Sequence, residues 1–303
     1  MPEFRRIVQG GRLVGDEKIK SPEVVYENTL KYIEDAYTLL VKGKGIPSPE
    51  SILSEFIYTL KTQGPEMVVL AHRPPSSAFM AIHSVSVSII ACCIGLLRKL
   101  SESSIAELGV AAFFHYCGIA LESKDEAKFA QMKEKCIKGV EKLDLVSGMT
   151  PKIKKFVREH HERIGPELYP TEKTEGDMEP ETRILIVADT YCSLILSSDT
   201  ERCVHPHKAL MHLLEKNKLP FDADILKTLI EIVGIYPVGT CVELNNGEIG
   251  RVVRPRFGFP MRPLIEVISG PTGISLSRTQ TRDLFESPVI HIRRVVEERE
   301  KTQ

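Results

Sequence analysis

From Pro74 to Leu97 the chain carries no charged side chain, a run long enough to cross a bilayer as a helix. Five serines and His83 keep its hydrophobicity modest, and no second run of this kind follows, so the sequence predicts a deeply buried helix and no membrane span. A helix that is apolar on every side needs neighbours on every side. The rest of the chain therefore has to supply a helical core around it.

The flanking sequence does so. Residues 22–43 repeat apolar positions at three and four after Ser21-Pro22, which predicts an amphipathic helix with marked ends. A second helix is expected over 49–62, with Gly64-Pro65 closing a small N-terminal helical unit. Further helices are expected at 76–100, at 104–116 behind a capping box Ser104-x-x-Glu107, and at 124–144, 151–162, 181–198, 205–216 and 222–233, the last ending at Gly234. No alternating pattern occurs before residue 235. Beyond it, Asn245-Asn246-Gly247 lies between two alternating runs as in a hairpin, LIEVIS and ISLSR are two further short strand candidates, and HIRRVVEEREKTQ reads as a frayed polar tail. The expected architecture is mostly α: an N-terminal unit at 1–66, a helical bundle at 67–234 and a small β-rich extension at 235–303.

Composition narrows the function classes. At roughly 150 residues per domain, 303 residues make about two domains, and 42% hydrophobic with 27% charged residues excludes a disordered chain. Forty Lys+Arg against 41 Asp+Glu leave a net charge of −1, so no DNA or RNA partner and no anionic membrane is expected. Seven cysteines, without a CxxC and mostly within apolar helical patterns, read as reduced core residues of a cytoplasmic protein. The first residues, MPEFRRIVQGG, lack an apolar leader, so no cleaved signal is expected. The P-loop, GxGxxG, GxSxG and HExxH patterns are all missing.

What carries chemistry is a series of histidines in apolar helices: His83, His115, and the pair His160-His161. Asp189 joins them within ILIVAD. A single histidine in a helix is more often a satisfied core residue than a ligand. Asp189 is costly to bury unless a cation, a metal or several hydrogen bonds offset its charge, and a structural ion pair, for instance with Arg183, accounts for it as well as a site does. His160 and His161 are about 100° apart on a helix, so both reach one pocket only where that helix end faces the core. Residues 128–158 hold nine Lys/Arg and three acids. That excess reads either as a solvated helix face or as a surface for an anionic phosphodiester or an acidic partner.

The order of these residues resembles the HD-GYP family. His83, then His115, then HHER at 160–163, LYP at 168–170, ILIVADTY at 184–191 and GIYPVGTCVELNNGEIGRVV at 234–253 follow the family's sequence of motifs over about residues 70–255. The family comprises all-helical, metal-dependent phosphohydrolases of the HD superfamily, associated with hydrolysis of cyclic di-GMP in bacterial signalling. The resemblance implies an HD-type bundle, with His83, His115, His160, His161 and Asp189 as metal ligands and Arg163, Tyr169 and Pro170 as ligand-binding residues.

The chain also departs from that pattern. Tyr116 stands where the family's bridging aspartate belongs, Lys135 where a histidine is expected, Ile119 where a lysine follows, and Phe79 where an acid precedes His83; GPELYP keeps only Tyr169 and Pro170 of the naming loop. A phenol is neutral at pH 7 and cannot offset the repulsion between two cations. Two unit positive charges 4 Å apart repel by about 4 kcal/mol at an effective dielectric of ~20, and a divalent ion facing Lys135 doubles that. A family-type dinuclear site is therefore not expected. The cofactor expectation is no metal, or one divalent ion (Fe, Mn or Zn). The functional expectation is a catalytically impaired signalling protein that binds cyclic di-GMP or a protein partner, and the alternative is a metal-dependent cyclic di-GMP phosphodiesterase with a mononuclear site.

Overall fold

A computed structural model describes residues 20–74, 78–120, 138–161, 178–196, 203–215, 221–271 and 275–296. Helix α1, Pro22–Val41, starts where Ser21 accepts a hydrogen bond from the Val24 amide and Pro22 occupies the first turn. Helix α2, Glu50–Ala71, is two helical stretches joined at a kink: the first ends at Thr62, as expected ahead of Gly64-Pro65, and the second, not among the expected helices, runs on to Ala71. Gln63 leaves helical geometry (φ −138°, ψ 38°) and the helix resumes beyond it. Pro65 lacks an amide hydrogen and crowds the preceding carbonyl, which produces a kink. The division expected at residue 66 thus falls inside α2. Residues on both sides of it, such as Val25, Ile33 and Leu60 with Ile89 and Phe113, share one core.

The uncharged run forms α3, Phe79–Leu97, in which every residue from Ala81 to Leu96 is buried. Among the described residues it is the one helix long and apolar enough to cross a membrane, and here it is the central helix of the core. Neighbouring helices α1, α2 and α4 (Glu102–Phe114) pack around it, as do α6 (Pro180–Ile195) and α8 (Ala223–Val233). The cap of α4 lies one turn earlier than expected: Ser101, not Ser104, accepts the Ser104 amide hydrogen. Helix α5, Pro151–Glu159, is capped by Thr150, and α7 covers Pro206–Leu214. Gly234, at φ 83°, ends α8 as expected.

The region after residue 240 forms a five-stranded antiparallel sheet in the order β4-β3-β2-β1-β5. Its strands are β1 Cys241–Leu244, β2 Ile249–Arg254, β3 Leu264–Ser269, β4 Ser275–Asp283 and β5 Ile292–Val295. The tail read as frayed contains β5, which pairs with β1 through Val242–Val295 and Glu243–Arg294. Ile292 enters the small core of Val242, Leu244, Val252, Ile265 and Leu284. The charges of Arg293 and Arg294 hid this strand from a reading by polarity. Both point to Glu243, so the strand's polar face is an ion-paired surface.

One close approach fixes the segment behind the histidines. A side chain at buried Gly139 would bring its Cβ to 2.5 Å from the Gly118 amide nitrogen and 2.6 Å from the Gly118 Cα. Backbone cannot yield as a side-chain tip can. Gly139→Ala is expected to cost about 1–3 kcal/mol, read as a lowered midpoint in denaturant unfolding with an unchanged slope.

Candidate metal centre

Helix α3 carries His83 in its first turns, α4 ends on His115, α5 ends on His160, and α6 carries Asp189 at its centre. Packing of α3 against α4 and α6 brings these four ends and faces to one place. His83 Nε2 lies 3.0 Å from Asp189 Oδ1, and His115 Nε2 lies 3.5 Å from the same oxygen. The His115 and His160 ring centroids are 5.3 Å apart, and those of His160 and His161 3.8 Å. Possible donor atoms fall into two groups, each within 4.8 Å: His83, His115 and Asp189, and His160, His161 and Asp189. Asp189 belongs to both. The helix end bearing His160 and His161 does face the core, as their joint use of one pocket requires.

Hydrogen bonds settle the tautomers. His115 Nδ1 is 2.8 Å from the Ala112 carbonyl and His160 Nδ1 is 2.5 Å from the Val157 carbonyl. A carbonyl only accepts, so each Nδ1 carries a hydrogen, which leaves Nε2 as the atom that can ligate a metal. At His115, Nε2 is buried and faces the Asp189 oxygen at 3.5 Å, beyond a well-made hydrogen bond. A proton on Nε2 or a metal ion satisfies this contact, and a carbonyl-held Nδ1–H is how metal-ligating histidines are oriented. The residues present therefore fit a metal ion.

Protonation agrees. Burial opposes the charge of Asp189, yet contacts with His115 and His83 hold its carboxyl well below the usual carboxylate range. Burial lowers His83, with Asp189 pulling the other way; burial and neighbouring His161 and His115 push His160 far down. Imidazoles gathered around one carboxylate are the donor chemistry of Zn, Fe or Mn sites.

The aromatic replacements stand beside it. Tyr116 has its ring 5.1 Å from that of His83 and 6.2 Å from that of Phe79. Burial, with Asp189 adding to it, raises the Tyr116 hydroxyl to about 12, so it stays a neutral phenol at pH 7. Neither Tyr116 nor Phe79 brings a second carboxylate.

The structural alternative for Asp189 fails, because Arg183 pairs with Asp222 at 2.6 Å. Sequence reasoning missed Ser193, whose hydroxyl donates to Asp189 Oδ1 at 3.2 Å from one turn later on α6, a spacing that would have shown it. It also missed His72, which accepts from the Tyr191 hydroxyl at 2.8 Å and which burial lowers to about 4. Lys135, Arg163, Tyr169 and Pro170 lie outside the described residues, as does the Ile119 side chain. Of the basic segment, Lys152 meets Glu107, Lys154 meets Asp144 and Lys155 meets Glu179. Those pairs favour a solvated, ion-paired face for that part.

Comparison with known proteins bears out the HD-GYP resemblance. A family model described as "KOW domain associated with HD domain" matches residues 241–303, the region of the sheet. The chain is 24% identical over 201 residues to the cyclic di-GMP phosphodiesterase PdeB of Borreliella burgdorferi, covering 64% of this chain and 53% of that one. It is 22% identical over 210 residues to the cyclic di-GMP phosphodiesterase PA4108 of Pseudomonas aeruginosa, covering 66% of this chain and 50% of that one. The chain thus spans about half the length of these curated relatives. The solved HDG"Y"P protein Bd1817 from Bdellovibrio bacteriovorus superposes with a TM-score of 0.58 at 13% identity, over 76% of this chain and 77% of that chain. That likeness establishes an HD-type fold.

Proposed function

We propose that the chain is a cytoplasmic HD-GYP-like signalling protein that holds one divalent cation between His83, His115 and Asp189, engages cyclic di-GMP there, and hydrolyses it poorly. One observation carries this reading: a single carboxylate serves both histidine groups, and a phenol stands where a second acid would be needed. Two divalent ions sharing one buried negative charge leave a net charge of +3, which a dry site disfavours strongly. One ion leaves +1, a charge that an anionic phosphodiester offsets.

When bound, the ion supplies Lewis-acid polarisation of a phosphodiester oxygen. The chain's own groups orient it. Ala112 and Val157 carbonyls fix the His115 and His160 rings, and Ser193 holds the Asp189 oxygen. Among the described residues, a second ion that would stabilise the opposite oxygen of the displacement has only His160, His161 and a share of Asp189. The relatives' activity, together with the imidazole nitrogens gathered at Asp189, favours a second reading, a phosphodiesterase working with one ion.

The test is to equilibrate the purified chain with Mn(II), count metal by mass spectrometry, and follow cyclic di-GMP by calorimetry and by chromatography of products. About one ion per chain, saturable binding and little linear dinucleotide are expected. Two ions per chain, or no cyclic di-GMP binding by the loaded protein, would overturn the reading. Brisk turnover with one ion selects the second reading instead.

A further inference from the structure

At the junction of the helical core and the sheet, a half-open cleft of about 300 Å³ lies between the α2 kink and the β2–β3 segment. That volume is at the lower end of small-ligand sites. It shares no residue with the metal centre. Pro65 and Phe257 are among its apolar walls, and Thr62, Glu66, Arg254 and Arg256 are its polar ones.

The walls are held in place. A Cβ at Gly64 would lie 2.9 Å from the Phe257 ring, so the kink and this ring are packed to contact, and Phe257 is only 5% exposed. The two arginines flank Pro255 and each is anchored on one side. Arg254 Nη1 donates to Glu66 Oε1 at 2.7 Å. Arg256 is paired with Asp283, and its guanidinium carbon sits 4.3 Å from the centre of the Phe285 ring. A guanidinium has five N–H donors in a planar fork; the bond to Glu66 uses one on Arg254 and the bond to Asp283 one on Arg256. Arg254 is balanced by Glu66 and Arg256 by Asp283, so the two guanidinium groups offer an anion oriented N–H donors without a net charge. Anchored forks lose little freedom when they bind, which is why such arginines suit carboxylate and phosphate groups.

We propose that this cleft is a binding site for a small organic anion: a phosphate or carboxylate held by Arg254 and Arg256, on a compact apolar body lying against Pro65 and Phe257. Glu66 gives such a ligand an acceptor for one donor. The proposal is independent of the metal centre and of what is bound there.

The full chain, freed of metal with chelator, is titrated at constant ionic strength with phenyl phosphate, benzoate and uncharged benzamide, followed by ligand-observed NMR. Saturable binding of one or both anions and none of benzamide is expected; which anion binds more tightly distinguishes a phosphate-bearing from a carboxylate-bearing ligand. Arg256→Gln and Arg254→Gln should each weaken binding at least tenfold, while Asp189→Ala leaves it unchanged. Should either glutamine variant fail to fold, Arg254→Lys and Arg256→Lys keep the charge, lose the fork, and should weaken binding at least threefold. No saturable anion binding, equal binding of benzamide, or binding indifferent to the arginine variants overturns the proposal.

Discussion

Asp189→Ala is expected to abolish useful cation uptake at both histidine groups at once, lowering Mn(II) affinity by roughly a thousandfold in calorimetric titration. Asp189 is the one carboxylate within 4.8 Å of either pair of imidazoles among the described residues. A unit negative charge and a divalent ion 4 Å apart attract by about 8 kcal/mol at an effective dielectric of ~20. If desolvation takes half of that, about 4 kcal/mol is lost, or three decades at 1.36 kcal/mol each. His161→Ala is the contrast: it leaves His83, His115 and Asp189 together and should cost less than tenfold. Equal losses in the two variants would place the ion elsewhere.

The second large effect runs the other way. Tyr116→Asp combined with Lys135→His should raise the bound metal from about one ion to about two per chain, and should increase cyclic di-GMP turnover at least tenfold. Tyr116 already lies against His83 and His115, with ring centroids 5.1 and 5.8 Å away. A carboxylate there would provide the second negative charge that two cations need. Replacing Lys135 removes a positive charge at the position that matches a family histidine. Metal content measured by mass spectrometry, beside the product assay, reads the result. Metal content that stays at one ion would show that the match of these two positions to the family is mistaken.

Much of the fold was legible in the sequence because it rests on local signals. The uncharged run gave α3 its burial, Asn245-Asn246-Gly247 set the first hairpin, and Gly234 marked the end of α8. Local signals also misled where a distant partner decided the outcome. Gly64-Pro65 reads as the close of a helical unit, and helical geometry does break at Gln63, yet a second stretch in the same core continues α2 to Ala71. Residues 292–295 read as a polar tail, yet β1 offers an edge to pair with and Glu243 offers charges to match.

The same division holds at the candidate site. The sequence by itself determined the inventory: five possible ligands in a family-like order, one carboxylate among them, and a tyrosine where the second should stand. It could not say what Asp189 touches. His83 and Asp189 are 106 residues apart, and Arg183, less than two turns from Asp189 on the same helix, was the nearer candidate in sequence. Only the packing of α3, α4 and α6 turned Asp189 toward the histidines and Arg183 toward Asp222. The physical reason is that helical periodicity tells which face of each segment is buried, whereas the partner across that face is chosen by contacts between segments far apart in the chain.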